Sequence, residues 1–531
     1  MKRAFLIFLA ACGTCLTAAC TRLPIADQAE SGATPAMPQT RAAETPGKPK
    51  ADAGREPVDG IAFPIVTRHQ GRFNGQSVSY TASVGELEVQ DDKGNAGARI
   101  VSTSYVVDAL PGAPPRPVMF VFNGGPISPS VYLHMGAFGP RRVAFADDLN
   151  ADPASAPLVD NPYCILDVTD LVYFDPAGTG FSRTVPGKAL EDYFSIEADG
   201  QQTAAFIAQW LKANQRSDSP AYIFGESYGT NRAVETAGQL AKLPEPVLLD
   251  GVVLFGEAVN IIEYAQRPNN IISYVVSLPT LAALGWYHNK ADSADTDFET
   301  FVESAWQYAQ TVYLGALFQG NTLPPDRLNE IAQRLEQFTG LRSEYFVEKR
   351  LRVSKEAYRV ELFKNEGLIL GRSDGRYVGP TKAEGVESTG DGPPDPAVAL
   401  PEALAKAFRD YLVSDLGVAS AEQYVTASPV QGLSDWGWSG STPFSPFAYG
   451  DALSVLLEKN PRSRVLVAAG YFDTMTTIGA SRYLVNQEAW PAERVTLKYY
   501  RGGHMAYSIE DSARQMAGDL RKFILAGQLS P

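Results

Sequence analysis

Six short apolar runs lie along this chain, at 118–122, 171–174, 222–224, 248–255, 465–469 and 495–500, and most are stopped at once by Gly, Asn or Asp. Such runs, rich in Val, Ile, Leu, Phe and Tyr, read as strands buried on both faces. Amphipathic stretches at 203–213 and 231–242 separate some of them. Strand–helix alternation predicts a mostly parallel central sheet with helices on both faces, an α/β fold. Between about 262 and 445 the pattern turns helical. Leu328, Ile331, Ala332, Leu335 and Phe338 recur at helical spacing after Pro325 and before Gly340. A proline at the start and a glycine just past the end frame that helix. Residues 297–318 and 401–416 also read as helices, and the Gly/Pro-rich 384–398 as a loop. The expected organisation is a core at 58–261 and 446–531, interrupted by a helical insertion, or lid, at 262–445.

The chain's first residues do not fit that fold. Lys2 and Arg3 precede a short apolar stretch, residues 4–11, followed by small residues, a pattern of an export signal over 1–20. The stretch is too short to span a bilayer. Cys12 and Cys20 are both candidate lipid-attachment sites. Leu9-Ala10-Ala11-Cys12 fits the lipoprotein pattern by residue type, whereas Thr17-Ala18-Ala19-Cys20 gives the more usual signal length, and Cys20 is favoured; the alternative is ordinary cleavage without a lipid. Residues 21–57, rich in Ala, Pro and Gly, read as a disordered tether that spans on the order of 35 Å. After cleavage at Cys20 only Cys164 would remain, so no internal disulfide is expected. The expected location is the cell envelope of a bacterium, or outside the cell.

Gly225-Glu226-Ser227-Tyr228-Gly229 follows one strand and precedes one helix, the context in which G-x-S-x-G forms a nucleophile elbow. Small residues on either side let the chain turn sharply and push the Ser227 hydroxyl into the open. The serine needs a base, and histidine is the usual one. The chain has four: His69, His134, His288 and His504. In the α/β-hydrolase fold the order is serine, acid, histidine, which leaves His288 and His504. His504 follows the last strand in Gly502-Gly503-His504-Met505 and is the expected base. Asp473, after the preceding strand, is the expected acid; Asp435 competes but has no strand before it. Backbone donors for an oxyanion are expected at Tyr228 and in the Asn123-Gly124-Gly125-Pro126 turn. Trp436 and Trp438 read equally as pocket or core. No H-E-x-x-H, Cys/His cluster or phosphate loop is present, so no metal or cofactor is expected. The net charge of −14 argues against nucleic acid as a partner. The expected contact with a membrane is through the lipid alone, and the expected partner is a peptide substrate.

Taken together, these residues resemble the serine carboxypeptidase family. Asn123-Gly124-Gly125-Pro126, Asp175 to Ser182, Gly225 to Gly229, Gly470 to Asp473 and Gly503-His504-Met505 are similar to its blocks and stand in the family order. The resemblance implies removal of C-terminal residues from peptides. It also implies an oxyanion hole from the Gly125 and Tyr228 N–H groups, and Asn123 and Glu226 as holders of the substrate's free carboxylate. Two positions depart from the family. Ile127 stands where a glycine is usual, and Ala137 where a glutamate joins the carboxylate-binding network. Arg141 or Arg142 could supply that recognition instead, though a structural role fits both better. An esterase or aminopeptidase on the same scaffold, or an envelope binding protein without catalysis, are the other readings.

Overall fold

The computed structural model describes residues 61–529 apart from 92, 109–111, 294–295, 382–393, 431 and 439–448. The expected signal, the tether and Cys20, and most of the Gly/Pro-rich loop, lie outside the described residues. A ten-stranded sheet forms the centre. It begins with an antiparallel meander of β1 (Ile65–Phe73), β2 (Gln76–Gln90) and β3 (Ala96–Val107). Then come β4 (Val118–Phe122), β5 (Asp170–Phe174), β6 (Ala221–Glu226), β7 (Gly251–Phe255), β8 (Arg464–Gly470) and β9 (Val495–Tyr500). The spatial order is β1-β2-β3-β5-β4-β6-β7-β8-β9, with a two-residue strand at Arg183–Thr184 added beside β3. From β5 onward every neighbouring pair is parallel.

The six runs marked by the sequence are the six parallel strands, and for all but the edge strand β9 the reason is burial. Every residue of β4 to β7 is buried. Alternate side chains feed two separate layers: Val118, Phe120 and Phe122 pack on one side of the sheet, Met119 and Val121 on the other. Helices α1 (Ile196–Ala213) and α2 (Gly229–Leu240) cover the first layer through Phe206, Trp210 and Val234.

Between β7 and β8 lie helices α3 (Ile271–Tyr287), α4 (Phe298–Tyr308), α5 (Pro325–Thr339) and α6 (Ala399–Ser414), with shorter ones between them. The first three share a cluster of their own, with Leu284, Phe301, Leu335 and Phe338 at its centre. The framing of α5 follows the sequence: Pro325 opens it, and Gly340 closes it at φ +73°. Helix α6 differs from the other three, because Leu404, Phe408 and Leu412 join the main core. The C-terminal α7 (Glu510–Leu529) covers the same side of the sheet with Met516 and Leu520. This is the α/β-hydrolase architecture. No described helix is long and apolar enough to cross a membrane.

Candidate active site

In an open α/β sheet the loops at the carboxyl ends of parallel strands form the crevice. The singled-out residues leave four of those ends: Asn123 to Gly125 after β4, Ser227 after β6, Asp473 after β8 and His504 after β9. Ser227 has φ +60°, a left-handed conformation that costs a non-glycine residue about 1–2 kcal/mol. Three contacts fix it. Its N–H donates to the Phe255 carbonyl at 2.9 Å, its carbonyl accepts from Thr230 Oγ1 at 2.7 Å, and the strand and helix close on each other at two glycines. A Cβ on Gly225 would stand 2.2 Å from the Gly229 carbonyl oxygen. Ser227 is half-buried, and its hydroxyl makes no hydrogen bond among the described residues.

The His504 imidazole lies against Gly256, the residue after the one that anchors Ser227; a Cβ there would be 3.2 Å from the ring. Nδ1 is 2.7 Å from Asp473 Oδ2, which fixes the proton on Nδ1 and leaves Nε2 as the acceptor of the neutral ring. Asp473 is fully buried and well supplied with donors: Met475 N–H at 2.7 Å, Thr476 N–H at 3.1 Å and Thr476 Oγ1 at 2.5 Å. The His504 N–H donates to the Ser373 carbonyl at 2.6 Å, so a segment of the inserted region holds the loop in place. Burial alone would lower the His504 pKa. The Asp473 carboxylate overrides it, with help from Glu226, and holds the ring at about 8.

The other histidines are placed differently. His288 Nε2 meets the Gly375 carbonyl, His69 meets Thr67, and His134 is buried flat against Tyr173. Among the described residues, His504 alone has a carboxylate on a ring nitrogen. Asp435 is exposed in a short turn.

The Asn123-Gly124-Gly125 turn packs directly on the elbow. A Cβ on Gly124 would lie 2.5 Å from the Tyr228 nitrogen, so glycine is required for that approach. Neither the Gly125 nor the Tyr228 N–H donates to a described residue. The turn is held from below by Arg232, whose Nη1 donates to the Asn123 carbonyl at 2.6 Å and whose Nε donates to Asp199 at 2.8 Å. Both members of that pair are fully buried. The guanidinium also lies 5.6 Å from the Tyr228 ring centre. Ile127, a β-branched residue at φ +49°, is buried against Ile196, Tyr228 and Trp436. Trp436 is thereby a packing residue under the elbow. The Asp175 to Ser182 block supports the same loop, because Asp175 Oδ1 accepts from the Ser130 N–H and hydroxyl at 2.8 and 2.9 Å.

Glu226 and Asn123 meet behind the serine. Asn123 Nδ2 donates to Glu226 Oε2, and Tyr507 Oη lies 3.1 and 3.0 Å from Glu226 Oε1 and Oε2. Glu226 is 2% exposed. Burial raises its pKa, against the opposing effects of His504 and Tyr507, to about 7. Ala137 sits in a π-helical turn, His134–Phe138, and brings no polar side chain to this network. Arg141 pairs with Asp160 and Asp415, and Arg142 lies over Tyr163; neither hydrogen-bonds to Glu226 or Asn123. Sequence reasoning missed Tyr507, Arg232 and Thr476. Their partners are distant in the chain, and no local pattern announces them.

Fold and elbow define a class: a serine hydrolase of the α/β-hydrolase architecture. Within it, the chain resembles the serine carboxypeptidases, and the model of that family matches residues 105–239, the stretch that holds the Asn123 turn and the elbow. Among solved structures the chain is similar to a prohormone-processing carboxypeptidase from Saccharomyces cerevisiae, with 14% identity over 84% of this chain and 91% of that one, at a TM-score of 0.49. A proline iminopeptidase from Mycobacterium smegmatis aligns at 11% identity over 84% and 99% of the two chains, with a TM-score of 0.33. A putative aryl esterase from Burkholderia cenocepacia aligns at 11% identity over 84% and 100%, with a TM-score of 0.31. No curated protein matches the chain.

Proposed function

We propose that this protein is a serine-type carboxypeptidase acting through Ser227, His504 and Asp473. Neutral His504 takes the Ser227 proton through Nε2 as the hydroxyl attacks the scissile carbonyl, and Asp473 stabilises the imidazolium that forms. The Gly125 and Tyr228 N–H groups, both without a partner among the described residues, receive the oxyanion. Collapse releases the C-terminal residue, with His504 returning the proton to its amine, and leaves an acyl group on Ser227. Water, activated by His504, then frees the shortened peptide. The observation that carries the exopeptidase reading is the buried Asn123–Glu226 pair next to the serine. An ionised glutamate would repel a substrate carboxylate, whereas a neutral one, beside an amide, can donate to it. Ala137 favours a second reading, an esterase or broader peptidase, since it leaves Glu226 without a second carboxyl partner.

Digestion of a peptide library, read by mass spectrometry, tests the choice. Loss of C-terminal residues, abolished in Ser227→Ala, is expected. Trimming from the amino end, or turnover of esters alone, overturns the reading. Absence of a fluorophosphonate adduct on Ser227 in the folded protein would favour a binding role. We further propose, from the sequence, that the chain is exported and anchored through Cys20, with 21–57 as tether and 262–445 as lid. Cys20→Ser should then release it from the detergent phase; release by Cys12→Ser alone would move the anchor to Cys12.

A further inference from the structure

Glu226 is gripped from two sides, and the two grips are not equivalent. On one side the orientation of the Asn123 amide is fixed, because its Oδ1 accepts the Leu133 N–H at 3.0 Å. Its Nδ2 therefore faces Glu226 and donates to Oε2. On the other side stands Tyr507, fully buried in the short turn after His504. Its ring lies against the segment that carries Ala137: a Cβ on Gly136 would be 2.6 Å from the ring edge. The phenol thus brings a polar group to the carboxyl from beside the position where Ala137 brings none. The titratable groups that act on Glu226 are His504 and Asp473 from the loops after β9 and β8, Tyr132 from the short helix beyond Asn123, and Tyr507 itself. Among these only Tyr507 hydrogen-bonds to the carboxyl.

We propose that Tyr507 is a positioning residue for carboxylate recognition: it donates its one proton to Glu226 Oε2 beside Asn123, and so leaves Oε1 as the oxygen that carries the Glu226 proton and presents it to the substrate's C-terminal carboxylate. The inference rests on the carboxypeptidase reading and deepens it. With a carboxylic partner, two acids in contact would titrate together. A phenol keeps its proton throughout the neutral range, and burial lifts the Tyr507 pKa further above its ordinary value. Recognition then depends on one titration, that of Glu226. The Tyr507 hydrogen bond also opposes the effect of burial on Glu226 and stabilises its ionised form.

Tyr507→Phe keeps the ring and removes the proton. Two readouts apply. The first is the infrared band of protonated Glu226, followed against pH in a Ser227→Ala background and identified by its loss in Glu226→Gln. Its midpoint should move upward by about one pH unit or more, the value of a hydrogen bond to a charged group. The second is the KM of a free-acid peptide below that midpoint. It should rise about tenfold with kcat little changed, while the matching peptide amide is unaffected. A midpoint that stays or falls, or an equal loss on both substrates, overturns the role of Tyr507. If the wild type itself fails to distinguish acid from amide, the carboxypeptidase reading falls and takes this inference with it. If the wild type distinguishes them and Tyr507→Phe does so equally well, only Tyr507 falls. Fluorotyrosine at 507 guards against a folding defect, since it keeps both ring and donor. Its more acidic phenol donates more strongly and should move the midpoint the other way; movement in the same direction as Phe counts against the proposal.

Discussion

Substituting Glu226→Gln should abolish the difference in pH dependence between two substrate classes. On the proposed function, free-acid peptides need Glu226 protonated, with a pKa of about 7, and His504 neutral, with a pKa of about 8. The two requirements oppose each other. At a pH of about 7.5 each group is in its required form in about a quarter of the molecules, so about 6% of the enzyme is competent. The profile of kcat/KM for free acids is then a narrow bell that peaks between the two values. Amide or ester peptides need only neutral His504 and should rise to a plateau above about 8. Glutamine stays neutral and keeps a donor. It should convert the bell into a plateau and raise kcat/KM on free acids by about fourfold at a pH of about 7.5 and about a hundredfold at a pH of about 9. Because the Glu226 carboxylate helps hold His504 up, its removal should also shift the remaining limb toward lower pH. The assay is kcat/KM against pH for paired acid and amide peptides in both proteins. Identical profiles for the pair in the wild type would refute the claim that Glu226 reads the carboxylate.

Three further outcomes are expected. Ser227→Ala, His504→Ala and Asp473→Ala should each lower kcat by about 10⁴–10⁶ without unfolding the protein, and the double variants should lose little more, as steady-state kinetics on purified variants will show; additive losses would mean the groups do not act as a unit. Arg232→Met strands the fully buried Asp199 carboxylate and should cost about 3–5 kcal/mol in urea unfolding, with part recovered in Arg232→Met/Asp199→Asn; an equal loss in the double variant would locate the cost in packing rather than charge. Burial holds His134 at about 3, below its ordinary 6.5, so folding favours the neutral ring: the contribution is intact above 6.5 and is lost as pH falls toward 3, and His134→Gln should remove about 3 kcal/mol of the stability difference between pH 7 and 4.

Five of the six parallel strands could be read from the sequence because both of their faces are buried, which leaves nearly unbroken apolar runs; in β9, at the sheet edge, only Tyr500 is buried. The β1–β3 meander could not. In β1 and β2 buried residues alternate with more exposed ones, and in β3 Ser102, Thr103 and Ser104 occupy buried places where a core-only reading looks for Val or Ile. Antiparallel strands with one wet face carry half the apolar signal. Helix α6 shows a different limit. Its amphipathic spacing marks a helix, but spacing does not say which core receives the apolar face, and Leu404 and Phe408 join the sheet's layer rather than the inserted cluster.

The site divides along the same line. Ser227, His504, Asp473 and the Asn123 turn stand beside short signatures because each needs a particular local backbone: a left-handed residue between glycines, a loop after a strand, a glycine where two main chains touch. What tunes them needs no local backbone at all. Ala137 is visible in the sequence as a missing acid, whereas the Tyr507 hydroxyl that meets the same glutamate is an unremarked tyrosine in another part of the chain. The same holds for Arg232 and Asp199, whose pairing exists only once α1 and α2 have packed on the sheet. A departure at one position is therefore a poor guide to lost chemistry until the volume around it is known. Ala137 opens a gap in the expected network, and the fold brings a group of different acidity to that glutamate. If Tyr507 acts on Glu226 as proposed, Ala137 marks a carboxylate-recognition element with its own pH range; if Tyr507→Phe changes nothing, the esterase or broader-peptidase reading that Ala137 favours gains instead.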